Sequence, residues 1–254
     1  MTQKPKYIPG IYNYCDRWCE RCLWTSRCRV YADLEKDDAI NLDISADKFW
    51  NILSKNFGRT FKMIDKYMKD HDIVITVEEK EEAGRKEKIL RDKVKEHHLV
   101  SLAKKYVEKV NDIVKKWQAV FYPEQIETMA FSQPSDPEEY LIKLGDAIEV
   151  IQFYHFQIQV KLMRALGSIL DKDDNYDPPK GSINDSDGSA AVSLLGIERS
   201  MAAWSFLLDQ LPQLEEEILE CLAILKTLES EINKVFPDAR SEHGRHWGGI
   251  LAQI

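Results

Sequence analysis

The chain has 254 residues, 44% hydrophobic and 31% charged, which supports a packed core without crosslinks and excludes an intrinsically disordered protein. No run of about eighteen apolar residues occurs, and the start, MTQKPKYIPG, lacks the apolar stretch of a secretory leader, so the expectation is a cytoplasmic protein with no membrane partner. The net charge of −8 is uneven: Lys4, Lys6, Arg17, Arg21, Arg27 and Arg29 outnumber Asp16 and Glu20 at the N-terminus, while the acidic remainder repels a polyanion.

Four of the five cysteines, Cys15, Cys19, Cys22 and Cys28, are crowded into the segment IYNYCDRWCERCLWTSRCRVYA. In a reducing compartment such spacing reads as metal ligation rather than disulfide pairing. On an α-helical turn Cys15, Cys19 and Cys22 share one face, and Cys28 folds back as a fourth ligand. Four thiolates suit tetrahedral zinc, with Zn–S about 2.3 Å, and equally the corners of a [4Fe–4S] cluster. Zinc is the preferred reading, because a short, core-poor segment needs only a clip, and zinc binding supplies about 10–16 kcal/mol in zinc-finger peptides. Confinement of all four ligands to one stretch is what favours iron–sulfur. Arg17, Arg21, Arg27 and Arg29 interleave with Trp18 and Trp24, a pattern that also suits phosphate and base contacts. Set against it is the plainer reading that the cations balance thiolate charge and the rings dock the segment on the body of the protein.

Beyond the cysteines, Ser45 reads as an N-cap. Phe49, Ile52, Leu53, Phe57, Phe61, Ile64 and Met68 recur at three- and four-residue steps, predicting a helix from about Ala46 to Lys69 with one buried face. Ile73 to Val77 is β-branched throughout, which fits a short strand or a buried linker. Glu78 to Glu96 is a solvated Lys/Glu helix that leads into Leu99, Ala103, Tyr106, Val110, Ile113, Trp117 and Val120, a long bundle helix ending before Pro123. Glu138 to Leu170 carries two apolar stripes and is expected to be central, with a seam of Leu141, Leu144, Ile148, Ile151, His155, Ile158, Leu162, Ala165 and Ile169. After a polar loop, Asp171 to Gly188, come helices at about Ala190 to Leu211 and Pro212 to Val235. Their seams read Ala191, Leu194, Glu198, Met201, Ser205, Leu208 and Leu214, Ile218, Cys221, Leu225, Leu228, Ile232, Val235. The predicted fold class is all-α, an up-and-down bundle of about five helices, with residues 1–32 as a four-cysteine metal module and residues 33–254 as the bundle.

The string YCDRWCERC followed by TSRC resembles the N-terminal signature of an uncharacterised group of bacterial proteins with a helical remainder. That resemblance covers about the first thirty residues and implies no assigned activity. CERCLWTSRC is also similar to the C-x2-C-x5-C part of iron–sulfur nucleases related to the CRISPR-adaptation and RecB-type enzymes, in which the first cysteine lies far upstream; here Cys15 is adjacent. A nuclease would read Asp72, Glu78 and Lys80 as its acid, acid and lysine, since paired carboxylates bind Mg2+ and a lysine orients water. The same residues read more simply as a solvated helix.

Other polar residues offer weaker sites. His155 is the one polar residue of its seam, and with Glu198 and Glu149 it defines a second polar site across the bundle interior, although the Glu-x-x-His pairs of di-iron bundles are missing; a hydrogen-bonded histidine that fixes register is the simpler expectation. Glu149 is also placed to face Arg164 or Arg199. His97 and His98 read as exposed imidazoles. His243 and His246 have metal-compatible spacing in a tail. Asp171, Asp173 and Asn175 mimic a calcium loop, but Tyr176 and Ser182 replace its glycine and glutamate. Cys221 lies on an apolar face and reads as an inert thiol. There is no glycine-rich phosphate loop and no serine nucleophile elbow. The sequence thus points to a zinc-binding interaction or regulatory component partnered by another protein. An iron–sulfur redox protein and a nucleic-acid-binding protein are the alternatives.

Overall fold

The computed structural model describes residues 6–8, 11–13, 15–36, 46–120, 136–171 and 184–240. Among these residues the protein is all-helical. The α-helices are α1 (Arg29–Lys36), α2 (Ala46–Asp70), α3 (Val77–Glu96), α4 (His98–Val120), α5 (Pro137–Leu170), α6 (Asp185–Gln210) and α7 (Glu215–Val235). Single 3-10 turns lie at Ile11–Asn13, Cys19–Arg21, Thr25–Arg27 and Pro212–Leu214. The chain divides into two compact units, Met1–Tyr12 with Arg17–Ile89, and Asn13–Asp16 with Leu90–Ile254. Asp173, Asn175, Tyr176, Ser182, His243 and His246 lie outside the described residues, as do the side chains of Phe49 and Ile52.

The second unit is a bundle in which α4 packs on α5 and α7, and α6 packs on the same two helices. The heptad residues of α4, Leu99, Ala103, Tyr106, Val110, Ile113 and Trp117, are all buried, as are Leu214, Ile218, Cys221, Leu225, Leu228 and Ile232 along and just before α7. Each such leucine or isoleucine contributes about 1.5–3 kcal/mol by leaving water. Between the helices, the Trp204 indole on α6 donates to the Tyr106 hydroxyl on α4 at 3.0 Å, so the largest buried ring is satisfied where it meets its neighbour.

Helix ends follow local chemistry. The Asp136 side chain accepts from Glu138 N at 3.0 Å with Pro137 at the first helical position of α5, and Asn184 accepts from Ser186 N at 3.2 Å at the start of α6. Both leave fewer orphan donors in the first turn. Pro212 opens a 3-10 turn that leads into α7, the position where its fixed φ fits.

Several expectations are corrected. The central helix is α6, whose residues Gly188 to Ile197 are all buried; its small residues let neighbours approach from every side, so no seam stands out in the sequence. At Gly196 a Cβ would lie 2.9 Å from Tyr154 Cδ1 and 3.0 Å from Ile158 Cγ1, the closest α5–α6 approach that the glycines mark. By length and composition α6 is also the one described helix able to cross a membrane, yet it is mostly buried within the protein. Among the described residues the four helices α4 to α7 pack on one another, and the face of α2 expected to be buried is exposed at Phe57, Phe61 and Ile64.

Residues 73–76 form neither strand nor buried linker. Asp72 takes a left-handed backbone, φ 51°, while Ile73 N donates to Met68 O at 2.9 Å and Asp72 N to Lys69 O at 3.4 Å, which closes α2 as a Schellman motif. Four residues later Thr76 and Glu79 form a capping box: Glu79 N donates to Thr76 Oγ1 at 3.2 Å, and Thr76 N donates to Glu79 Oε2 at 2.8 Å. The Thr76 N–H first, and then the Thr76 hydroxyl donating to the same Oε2 at 3.1 Å, hold the Glu79 carboxyl below its ordinary pKa. The β-branched run is therefore a helix stop followed at once by a helix start, and its side chains stay in water.

Candidate functional site

The cysteine segment is built from tight turns rather than from the α-helical turn expected over Cys15 to Cys22. Arg17 stands between Cys15 and Cys19 with φ 64°, a left-handed conformation that a non-glycine residue adopts at a cost of about 1–3 kcal/mol and that no α-helix continues through. The next residues form a 3-10 turn, Cys19–Arg21, closed by Cys22 N donating to Cys19 O at 3.2 Å. Cys22 follows the turn in extended backbone, φ −89° and ψ 123°, so Cys19 and Cys22 stand at the two ends of one tight turn. A second turn, Thr25–Arg27, is closed by Cys28 N to Thr25 O at 3.0 Å, and Cys28 O then accepts from Ala32 N to open α1. Each of these three cysteines thus sits at a turn boundary, where the chain direction changes.

None of the five cysteines is in a disulfide. Cys15, Cys19, Cys22 and Cys28 are partly exposed, whereas Cys221 is buried and burial pushes its thiol up to about 12. Trp24 N lies 3.4 Å from Cys22 Sγ and donates to it. Among the described residues no three His, Cys, Asp or Glu side chains come together as a group that could hold a metal ion. Cys15 falls in the unit that contains the bundle, and Cys19, Cys22 and Cys28 fall in the other.

The residue that fixes the start of the segment is Asp16, which was not among the sequence-derived candidates. It is buried, 6% exposed, and its Oδ2 accepts from the Tyr154 hydroxyl at 2.6 Å and from Arg199 Nη1 at 3.0 Å. Arg199 also donates to the Tyr154 oxygen. The main chain is held as well: Gln157 donates to Asp16 O, and Lys161 Nζ donates to Cys15 O at 3.2 Å. Burial, with the Asp16 charge second, raises the Tyr154 pKa, so the phenol remains a neutral donor. Three residues of α5 and one of α6 thereby grip the first cysteine and the residue after it.

Within the segment the aromatic and basic side chains are engaged with one another. Arg21 lies over the Trp18 ring at 4.4 Å and Arg27 over Trp24 at 5.9 Å; Trp18 is buried, and Arg29 pairs with Asp33 at 2.7 Å. Such stacking covers indole surface.

The second polar site is not assembled as expected. His155 lies one position off the core, where its Nδ1 is 2.7 Å from Gln152 O of its own helix. Its neighbour Tyr154 occupies the seam. Glu198 pairs with Arg240 at 2.6 Å, Glu149 is exposed, and the two arginines weighed as its partners bind Asp185 and Asp16. Asp72 and the helix residues Glu78 and Lys80 are exposed. Comparison of the chain with protein-family models, with curated proteins and with solved structures finds no match.

Proposed function

We propose that Cys15, Cys19, Cys22 and Cys28 bind one metal ion, zinc in preference to a [4Fe–4S] cluster, and that the ion closes residues 1–32 into a module carried by an up-and-down helical bundle. The protein then acts in the cytoplasm as an interaction or regulatory component whose partner is another protein. The observation that carries this reading is the Cys19-x-x-Cys22 turn together with the Trp24 N–H donated to Cys22 Sγ at 3.4 Å. Two thiols at the ends of one tight turn supply two of the four ligands of a tetrahedral set, and a backbone N–H on sulfur lowers the charge that a thiolate brings to a metal.

Further support comes from charge and access. The four thiols are partly exposed, and Arg21 and Arg27 lie within the same segment on Trp18 and Trp24, where cations offset the negative charge of a tetrathiolate site. Because the described thiols are not already grouped, metal binding is coupled to a local rearrangement, as in small modules that fold on their ion. A partner protein is preferred to nucleic acid because Trp18 and Arg29 are already used inside the segment.

Metal analysis of protein purified without oxygen tests the reading. One equivalent of zinc in a colourless protein, lost together in Cys19→Ser and Cys22→Ser, is the expected result. A brown protein with a broad visible band replaces zinc by iron–sulfur, and absence of both metals overturns the site.

A further inference from the structure

Helix α2 presents a surface that the metal reading does not use. Trp50, Phe57 and Phe61 are 62%, 54% and 61% exposed, Ile64 and Tyr67 are exposed as well, and Leu53 and Met68 are partly so. At about 100° per residue these seven side chains occupy about one third of the helix circumference. The Phe57 and Phe61 rings, 6.3 Å apart, stack along its middle. Leu53, Phe57, Phe61, Ile64 and Met68 belong to the stripe expected from the sequence to face a core, and here they are exposed or partly so.

The opposite side of α2 is basic. Lys55, Arg59, Lys62, Lys66 and Lys69 project there, against Asp65 and Asp70 in the same span, and Lys55, Arg59, Lys62, Met63 and Lys66 line a shallow hollow over Gly58. A solvated helix face needs no such imbalance. The adjoining α3 carries seven acidic and seven basic residues and pairs them four apart, as Glu81 with Arg85 at 3.7 Å and Glu82 with Lys86 at 2.8 Å.

We infer that α2 is an interfacial helix that docks on an anionic phospholipid surface. Low overall hydrophobicity, a Trp/Phe/Leu face and a Lys/Arg-rich polar face are the features that lay a helix in the plane of the headgroups, with its apolar side among the upper acyl carbons. Trp and Tyr favour that depth, and lysine stems reach around to phosphate while their methylenes stay apolar. Screening confines the relevant charge to about 8 Å at physiological salt, so the cations of α2, not the net −8 of the whole chain, set the attraction. A second copy of the chain covers the apolar stripe but gives no reason for a polar face on which five cations stand against two carboxylates, and a nucleic acid uses the cations but leaves the aromatic rings in water. The expectation of no membrane partner rested on the lack of a spanning segment, which does not bear on a helix that lies flat.

Flotation of the full chain with phosphatidylcholine vesicles, with and without phosphatidylglycerol, tests this. The expected result is capture by the anionic vesicles at least about tenfold above the neutral ones, falling steeply with salt. Phe57→Asp with Phe61→Asp abolishes capture, Lys62→Glu with Lys66→Glu lowers it about tenfold or more, and both variants keep the far-UV dichroism of the parent because the altered side chains are exposed. Capture indifferent to these changes, or no capture by either vesicle, overturns the inference. So does a concentration-dependent dimer in sedimentation that Phe57→Asp dissociates while vesicles take up nothing, which assigns the stripe to a second copy. Zinc content plays no part in any of these readouts, so failure here and failure of the metal site are separate results.

Discussion

The Tyr154 hydroxyl donates to Asp16 at 2.6 Å across 138 residues of chain, and through that bond the bundle holds the residue next to the first cysteine. Arg199 supplies the countercharge, with side-chain exposures of 25% for Arg199 and 8% for Asp16, so the pair is well shielded though not fully dry. Removing either partner has different consequences. Asp16→Ala deletes the charge that was costly to bury and is expected to cost about 1.5–3 kcal/mol, the value of hydrogen bonds to a charged group. Arg199→Ala leaves a buried carboxylate without its cation and is expected to cost more, about 3–5 kcal/mol. Urea denaturation of both single variants and the double variant measures this; the double is expected to cost clearly less than the sum. Strict additivity would mean that the two residues do not act together.

Gly196 is what lets α6 come close enough to α5 for that grip. Its missing Cβ would stand 2.9 Å from Tyr154 Cδ1 and 3.0 Å from Ile158 Cγ1, and neither atom is the end of a flexible chain. Gly196→Ala therefore has to move the Tyr154 ring or part the helices, against the helix-propensity gain of alanine. The expected net loss is about 1–3 kcal/mol, accompanied by faster amide exchange at residues 13–16, because the displaced phenol no longer reaches Asp16. A stabilised Gly196→Ala variant would show that the interface has room the contacts deny.

How much of this was readable in the sequence depends on how sharply each helix is amphipathic. The seams of α4 and α7 are legible along most of their length, because one narrow apolar stripe runs along each; at the end of α7 the buried residue is Phe236, not Val235, and the side chain of Val120 lies outside the described residues. On α5 two stripes merge into a broad arc, and the polar residue of the seam was read as His155 when it is Tyr154. On α6 the first half is buried on all sides, so periodicity carries no phase, and Glu198 was placed inward where Ile197 lies. The apolar stripe of α2 was legible as a stripe, but a stripe says nothing about what covers it. The cysteine segment was legible as a set of donors. Its backbone was not, since Arg17 takes a left-handed conformation without the glycine or asparagine that would announce one, and Asp16 looked like an ordinary surface acid because its partners lie far along the chain.

If the thiols bind zinc, chelation has a local signature. Stripping the ion with a strong chelator is expected to raise amide exchange in residues 18–32, where turns closed by single bonds such as Cys22 N to Cys19 O have little core behind them. The buried heptads of α4 and α7 are expected to keep their protection. Exchange mass spectrometry before and after chelation separates the two regions, and collapse of bundle protection on chelation would place the ion's structural role elsewhere.

The start of α4 adds a pH dependence. His97 Nδ1 accepts from Leu99 N at 3.3 Å, which requires that nitrogen to be unprotonated, and the ring stacks on His98 with centroids 4.6 Å apart. Burial first, and then the charge of a protonated His98, lowers the His97 pKa. His98 itself reaches Glu231 on α7 at 3.7 Å, so it has an acidic partner that His97 does not share. An unfolded chain takes up the His97 proton at about pH 6.5, before the folded chain does, and in that interval stability rises with pH. The contribution is thus intact above about pH 6.5 and is lost as the pH falls through the lower folded value. His97→Asn keeps an acceptor for Leu99 N without a titrating group and is expected to flatten the stability profile below about pH 6.5. Denaturation midpoints measured at a series of pH values check it, and an unchanged acid slope in His97→Asn would assign the loss to other groups.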